Sequence, residues 1–256
     1  MSAEACSELV RRGDEDRWRA AMAAPEAVRG GLMALYAFNL EIARAPWVAS
    51  EPMLAEIRLQ WWRDALEEIY GGAAPRRHEV VLPLAAAIRE LRPPRALFDE
   101  TIDARRRDLE AAPFADLAAL EAHVNRTAGH VAVLAAVLLG ADDRSLGVVR
   151  EFACGAGLVS FLAALPGYEA HGRFPLPRGL EPADVAARAS ERIAGARARR
   201  GDVGDEALPV MLHGTLSAAR LDAARKGRDG FDPKGLVLSE FSARARLAWA
   251  AVSGRW

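Results

Sequence analysis

The sequence has little cysteine, little lysine and few aromatic residues. Its two cysteines, Cys6 and Cys154, lie far apart and have neither metal-ligand nor redox spacing, which excludes a cysteine zinc site and a disulfide framework. We therefore expect a reduced, cytoplasmic compartment. Nearly all of the positive charge is arginine, and the formal net charge of -1 gives the whole chain no field that would attract nucleic acid.

Long hydrophobic segments are also lacking. The N-terminal residues are charged and contain no apolar core of the kind that a secretory signal has. The longest apolar stretches, Val131–Leu139 and Phe152–Pro166, fall short of the ~20 residues that a membrane span needs. We expect no transmembrane segment, and any contact with the inner face of a membrane is expected to be peripheral.

The common signatures of catalytic and metal sites are missing as well. There is no GxSxG turn, no glycine-rich phosphate loop after a strand, and no HExxH helix. The five histidines are scattered. His123 and His130 share a helix but lie two turns, roughly 10 Å, apart, which is too far for one metal without other ligands. These absences predict no metal site.

Helical signals dominate the chain, and no run of alternating apolar and polar residues predicts a strand. Pro25 begins a helix that Pro46 ends, and Ser50 caps a second helix that ends at Gly71. His171–Gly179 is predicted to be a loop. Further helices are predicted over Val81–Leu91, Arg95–Glu110, Leu117–Leu139, Ser145–Leu165, Pro182–Arg199, Glu206–Ala224 and Gly235–Val252.

Two of the predicted helices are apolar around most of their circumference, over Gly129–Leu139 and Phe152–Leu165. A helix without a polar face is surrounded by other helices. The sequence therefore predicts an all-α bundle in which amphipathic helices surround central ones, with room for an elongated apolar cavity. No internal repeat or linker interrupts residues 1–256, which predicts a single domain.

The segment Leu35–Arg44, LYAFNLEIAR, resembles the first signature helix of the squalene/phytoene synthase family. In active members this helix has approximately the sequence LYAFCRxxDDxxD. Leu35 to Phe38 match it. The two adjacent aspartates fall on Ala43 and Arg44, and the third falls on Trp47.

A second family signature, approximately NILRDxxEDxxxGRxYLP, matches at its end over Gly172–Pro177, GRFPLP. Counted back from there, its DxxxD aspartates fall on Ala164 and Tyr168, with Glu169 beside the latter. Arg126–Gly140 and Ile102–Leu109 resemble segments that the family has between these two signatures. The resemblance runs from about Arg17 to the C-terminus and implies the isoprenoid synthase type of fold.

Within that family, the helix Arg58–Tyr70 and the missing aspartates resemble a catalytically degenerate branch that includes the mitochondrial respiratory complex I assembly factor. The resemblance implies a non-catalytic assembly factor or adaptor whose partner is a respiratory complex subunit or assembly protein. Two alternatives stay open: an active head-to-head prenyltransferase that forms squalene- or phytoene-type products, and a binder of a prenylated lipid or quinone. Trp61, Trp62 and Arg58 are candidates for an interface, because adjacent tryptophans on a helix cannot both be buried by one neighbour.

Active members hold Mg²⁺ between two aspartate-rich helices, and Mg²⁺ requires hard oxygen ligands. The residues at the expected positions supply none, so we expect no cofactor, with Mg²⁺ only if the prenyltransferase alternative holds. Arg44 has two interpretations: an anion-binding guanidinium, or a partner of Glu41 one helical turn away. The pocket that remains is expected to include Tyr36, Asn39, Glu41, Arg44, Asp103, Asp108, Tyr168, Glu169 and Arg173.

Overall fold

The computed structural model describes residues 3–48, 51–225 and 231–256, and within these ranges the regular secondary structure is helical. The α-helices are α1 (Ala3–Gly13), α2 (Glu15–Ala21), α3 (Glu26–Val48), α4 (Pro52–Tyr70), α5 (Val81–Leu91), α6 (Arg95–Arg107), α7 (Leu117–Val124), α8 (His130–Leu138), α9 (Asp143–Ala170), α10 (Pro182–Ala198), α11 (Leu208–Arg225) and α12 (Glu240–Ser253). The all-α bundle expected from the sequence is confirmed.

Helix α9 forms the centre of the bundle and packs against α10, α11, α8 and α7. It is long and apolar enough to cross a membrane, but 61% of its most apolar 18-residue stretch is buried by the surrounding helices. Helix α8 is buried on nearly all sides, as its continuous apolar sequence predicts. One main core cluster joins residues from α1 to α11, and a smaller cluster holds α12 against α11 and α2.

Several helix boundaries differ from those predicted. Helix α3 continues through Pro46 to Val48, and α9 continues through Pro166 to Ala170, so the residues that follow each proline stay helical. Helix α6 ends at Arg107, before the predicted Glu110. Glu51 is the N-cap of α4, and Ser50, the predicted cap, lies outside the described residues. These extensions matter because they bring the ends of α3 and α9 together.

A single turn of π-helix, Asn125–Gly129, lies between α7 and α8 where the sequence predicted one continuous helix. A π-turn inserts an extra residue and changes which side chains face the centre. Thr127 and Ala128 of this turn line the central cavity. The α7–α8 segment thus presents both polar and apolar groups to the interior.

Candidate functional site

The bundle encloses an elongated cavity of about 250 Å³. Its wall on α9 runs from Val149 to Tyr168, which at the α-helical rise is about 28 Å. Mostly apolar residues of α8, α9 and α11 form the middle. Polar side chains reach the wall from five further elements: Asp14, Arg17, Tyr36, Asn39, Arg105, His123 and Thr127. The chain therefore has the cavity that its sequence predicts.

An aromatic pair joins α3 and α9 at one end of the cavity. The rings of Trp47 and Tyr168 meet edge to face, with their centroids 4.7 Å apart. The Arg173 guanidinium lies 4.9 Å from the centre of the Trp47 ring. Arg173 also donates hydrogen bonds to the backbone carbonyls of Asp108 and Pro46, over 2.7 and 3.3 Å. This one side chain thereby ties together the ends of α3 and α6 and the loop after α9.

The Asp108 carboxylate is buried directly behind this aromatic pair. His123 Nε2 lies 3.2 Å from Oδ1, Arg105 Nη1 lies 3.2 Å from Oδ2, and the Tyr168 hydroxyl donates to Oδ1 over 3.4 Å. Burial alone would raise the pKa of Asp108, but the hydrogen bond from His123 and the charge of Arg105 outweigh it and lower the pKa. Burial, with Asp108 next to it, raises the pKa of Tyr168, which stays a neutral phenol.

A second polar cluster lies where α2, α3 and α11 meet. Asp14 caps α2 and forms an ion pair with Arg17 over 3.2 Å, and His213 Nε2 lies 3.9 Å from the Asp14 carboxylate. The Arg17 guanidinium lies 5.1 Å from the centre of the Tyr36 ring. Burial and the charge of Arg17 lower the pKa of His213 to about 4, so its imidazole is neutral at pH 7. Burial raises the pKa of Tyr36 to about 12.

Asn39 is buried in the cavity wall. It lies on α3 between Tyr36, which belongs to the ionic cluster, and Trp47, which belongs to the aromatic pair. Its amide oxygen has no hydrogen-bond donor among the described residues. A buried carbonyl oxygen without a donor costs about 1–3 kcal/mol, so this one is suited to a water or a ligand donor in the cavity.

The predicted pocket is only partly assembled by the structure. Tyr36, Asn39 and Tyr168 line the cavity, Asp108 accepts a hydrogen bond from the Tyr168 hydroxyl, and Arg173 lies against the Trp47 ring. Ala164, which occupies an expected aspartate position, also lines the cavity. The remaining predicted members do not line it. They are Glu41, Arg44, Asp103 and Glu169. Ala43, which occupies an expected aspartate position, does not line the cavity either.

The displaced residues have identifiable surroundings. Arg44 is exposed and packs against Gly13, where an added Cβ would lie 2.6 Å from its Nη2. In the described part of the chain, Arg44 forms no ion pair with Glu41. Asp103 is on the outer face of α6, paired with Arg63 and Arg106, because it lies five residues from Asp108 and so points elsewhere.

The three interface candidates on α4 differ in exposure. Trp62 is buried and packs edge to face on Phe38, with ring centroids 5.2 Å apart. Trp61 is half-buried, with the Arg76 guanidinium 5.1 Å above its ring. Arg58 is exposed. Of the three, the side chain of Arg58 and the exposed part of the Trp61 side chain are accessible to a partner.

Five further residues of the cavity wall were not predicted as site residues: Asp14, Arg17, Arg105, His123 and His213. They come from four separate helices, since Asp14 and Arg17 both belong to α2 and its N-cap, and no spacing along the chain relates one helix's residues to those of another. The one available signal was that His123 and His213 each lie in an otherwise apolar segment.

Mg²⁺, the ion that the family resemblance implies, does not fit the residues present. Asp14 is the one carboxylate among the residues that line the cavity, and Arg17 already neutralises it. Asp108 is enclosed by a histidine, an arginine and a phenol. Across the described ranges there is no group of three histidine, cysteine or acidic side chains that could hold a metal ion. Two bound Mg²⁺ would need several carboxylates with free oxygens.

The sequence and the structure were compared with known proteins. A family model described as squalene/phytoene synthase matches residues 10–200. A protein from Bos taurus named NADH dehydrogenase (ubiquinone) complex I, assembly factor 6, is 26% identical over 173 residues, which are 67% of this chain and 52% of that protein. A Drosophila melanogaster homolog of that factor is 22% identical over an alignment that covers 99% of this chain and 84% of the homolog. The chain thus spans about half the length of the mammalian relative.

Among solved structures, a dehydrosqualene synthase in complex with a ligand superposes with a TM-score of 0.84 at 15% identity. The match covers 98% of this chain and 95% of that one. The squalene synthase HpnC from Alicyclobacillus acidocaldarius superposes with a TM-score of 0.73 at 18% identity, over 88% and 93% of the two chains. At 15% and 18% sequence identity, these superpositions establish that the chain shares the fold of the two enzymes.

Proposed function

Since the chain belongs to the squalene/phytoene synthase family, we propose that it is a non-catalytic member that serves as an assembly factor or adaptor for a respiratory membrane complex of the complex I type. The observation that carries this proposal is the contact between Trp47 and Tyr168 in front of the enclosed Asp108. The family signatures place carboxylates at the two aromatic positions, facing one another across the cavity. Here the same two positions are closed by packed rings.

The electrostatics of the cavity support a loss of catalysis. Prenyl transfer in this family begins with the departure of diphosphate, whose developing charge has to be stabilised in the transition state. Metal ions held by carboxylates supply that stabilisation in active members. Arg17 and Arg105 are positive groups in the wall, but each is paired with its own carboxylate, Asp14 or Asp108. Neither pair leaves the ligands that a metal-bound diphosphate needs.

The named relatives support the assembly role. The proteins from cattle and fruit fly carry the name of complex I assembly factor 6 or its homolog, and they match 67% and 99% of this chain. We propose by extension that the partner is a subunit or assembly protein of a respiratory complex, met at the cytoplasmic face of the membrane.

Deletion of the gene in the source organism tests this function. We expect NADH:quinone oxidoreductase activity and assembled complex I in isolated membranes to fall, and plasmid-borne wild-type protein to restore both. Succinate:quinone oxidoreductase activity serves as the control for general respiratory damage. Normal complex I content in the deletion strain would refute the assembly role.

We propose a second candidate function, the retention of a prenylated lipid or quinone, which is supported by two features of the cavity. The cavity is long and largely apolar, and the Asn39 amide oxygen lacks a donor within the described ranges. A ligand with an apolar chain and a hydroxyl group, such as a prenyl alcohol or the reduced form of a prenylated quinone, would satisfy both features, because its hydroxyl can donate to the Asn39 oxygen. Organic extraction of the purified native protein followed by mass spectrometry is expected to recover such a lipid in stoichiometric amount. Recovery of no lipid from protein purified without detergent would exclude this role.

A further inference from the structure

Helix α12 has two apolar faces on opposite sides. Ala243, Leu247 and Ala250 are buried and form the smaller core cluster with residues of α11. The opposite side is exposed: Phe241 is 83% accessible, Trp249 66% and Val252 87%. At 100° per residue, the exposed stripe is centred about 180° from the buried one. Its members are Phe241, Ala245, Ala248, Trp249 and Val252.

A solvent-facing stripe of this kind is unusual for a surface helix. Water-exposed faces of amphipathic helices carry charged and polar residues, whereas this stripe has none over the 14 residues of α12. Phe241, Ala245 and Trp249 follow one another at intervals of four residues, so their side chains lie along one ridge that is about 12 Å long. An exposed apolar ridge that carries two large aromatic side chains marks a contact surface.

Arginines flank the stripe on both sides. Arg244 lies on one flank, where it pairs with Glu240 over 3.2 Å, and Arg246 lies on the other. Next to Trp249, a shallow groove of about 190 Å³ is lined by three arginines and one carboxylate, Arg197, Arg246, Arg255 and Asp222. Neither Arg246 nor Arg255 forms an ion pair with any residue that the structure describes. The groove therefore has a net positive charge beside an exposed tryptophan.

We propose that α12 binds the surface of an anionic lipid membrane. The helix would lie parallel to the surface, with Phe241, Trp249 and Val252 at the boundary between headgroups and acyl chains. Arg246 and Arg255 would contact lipid phosphates. In-plane membrane helices combine aromatic and aliphatic residues on one face with arginine or lysine beside it. This inference is independent of the proposed assembly role.

The shape and charge of the surface favour lipid over a protein partner. The stripe is a convex ridge whose centre is alanine, so its large side chains stand apart, whereas protein hot spots cluster their aromatic anchors in a compact, desolvated patch. Each unpaired arginine close to an anionic leaflet strengthens binding about fivefold. The net charge of -1 for the whole chain conceals this local excess of positive charge.

Co-sedimentation with vesicles tests the proposal on the full chain. We expect binding to vesicles of equal parts phosphatidylcholine and phosphatidylglycerol, and at least tenfold weaker binding to phosphatidylcholine alone. The double variant Phe241→Gln/Trp249→Gln is expected to lose binding to both. The double variant Arg246→Gln/Arg255→Gln is expected to bind the anionic vesicles roughly 30-fold more weakly, with binding to phosphatidylcholine unchanged.

Helix α4 offers a matched control, because Met53 and Ile57 are 69% and 58% exposed and also four residues apart. The double variant Met53→Gln/Ile57→Gln is expected to bind vesicles as the wild type does. An equal loss in the α4 and α12 variants would show adsorption through any exposed apolar group and would overturn the proposal. All of the changed side chains are exposed, so circular dichroism spectra and Tm should match those of the wild type.

Two further outcomes would also refute membrane binding through α12. Brominated phospholipid should quench the emission of Trp249, obtained as the difference between wild-type and Trp249→Gln spectra, and an unquenched difference spectrum would contradict insertion. Sedimentation velocity without lipid should give a monomer. A dimer that the Phe241→Gln/Trp249→Gln variant dissociates, together with no vesicle binding, would assign this face to a second copy of the chain.

Discussion

At the scale of single residues, Asp108 is a buried carboxylate that is contacted by side chains from three other positions in the chain, Arg105, His123 and Tyr168. Breaking a buried ion pair from one side costs about 3–5 kcal/mol, because the remaining charges stay buried without a counter-charge. We expect Asp108→Asn to lower the free energy of unfolding by about 3 kcal/mol, measured by urea denaturation at pH 7.

Asp103→Asn is the matched control, since Asp103 also has arginine partners, Arg63 on α4 and Arg106 on α6, but a side chain that is 50% exposed. Its loss is expected to be under about 1 kcal/mol. The folded-state pKa of Asp108 is lowered, so its stabilisation is present above the unfolded value of about 4 and is lost as the pH falls further. Equal losses of unfolding free energy in the two variants would contradict the conclusion that Asp108 is a buried, paired charge.

His213 provides a second residue-scale prediction, on pH. Its folded-state pKa is lowered to about 4, against about 6.5 in the unfolded chain. Between these values the unfolded chain binds a proton that the folded chain does not, so stability falls as the pH drops from about 6.5 towards 4. When the pH falls from 7 to 5, we expect the unfolding free energy of the wild type to decrease by ~1–2 kcal/mol more than that of His213→Gln. Parallel pH profiles would contradict a neutral His213 in the folded chain.

At the scale of elements, close packing around α9 depends on glycine. An added Cβ at Gly155 would lie 2.7 Å from Ile193 Cγ1 and 3.0 Å from the Ala189 carbonyl oxygen, so α10 approaches α9 where no side chain separates them. Gly155→Ala gains about 1 kcal/mol in helix propensity, but the backbone oxygen cannot move aside. We expect a net loss of about 1–3 kcal/mol in unfolding free energy.

Gly167 is the control on the same helix, because an added Cβ there would meet nothing within 4 Å. Gly167→Ala is expected to raise the unfolding free energy by up to about 1 kcal/mol. Thermal denaturation of the two variants measures both effects, and stabilisation by both substitutions would show that α9 and α10 are less tightly packed than described.

Element type was predictable from the sequence, but some element ends were not. The apolar circumference of α8 and α9 correctly predicted central helices. Pro46 and Pro166 were expected to end helices or to lie beyond them, yet α3 and α9 continue past them because tertiary packing outweighs the lost hydrogen bond. The π-turn Asn125–Gly129 has no signal in the sequence, since α- and π-turns accept the same residues.

At the scale of the whole molecule, the family and the fold followed from the sequence, whereas the composition of the cavity wall did not. The two signatures located Tyr36, Asn39 and Tyr168 in the wall, because each lies within a matched helix. The Asp108–His123 and Asp14–His213 contacts join distant segments, over which spacing along the chain carries no information. A missing motif shows which chemistry is lost, but only the fold shows which contacts replace it.

The last prediction tests the proposed loss of catalysis. Trp47 packs on Tyr168 and His123 contacts Asp108, which leaves these positions without free carboxylates to hold a metal against a departing diphosphate. Removing such electrostatic stabilisation slows reactions by orders of magnitude. We expect the purified protein to release no diphosphate from farnesyl or geranylgeranyl diphosphate above a boiled control, with or without Mg²⁺. A dehydrosqualene synthase assayed in parallel establishes that the substrates and the metal are competent. Release that depends on Mg²⁺ would mean that acidic residues outside the cavity wall, such as Glu41 and Glu169, move into it when substrate binds, and the non-catalytic assignment would then fail.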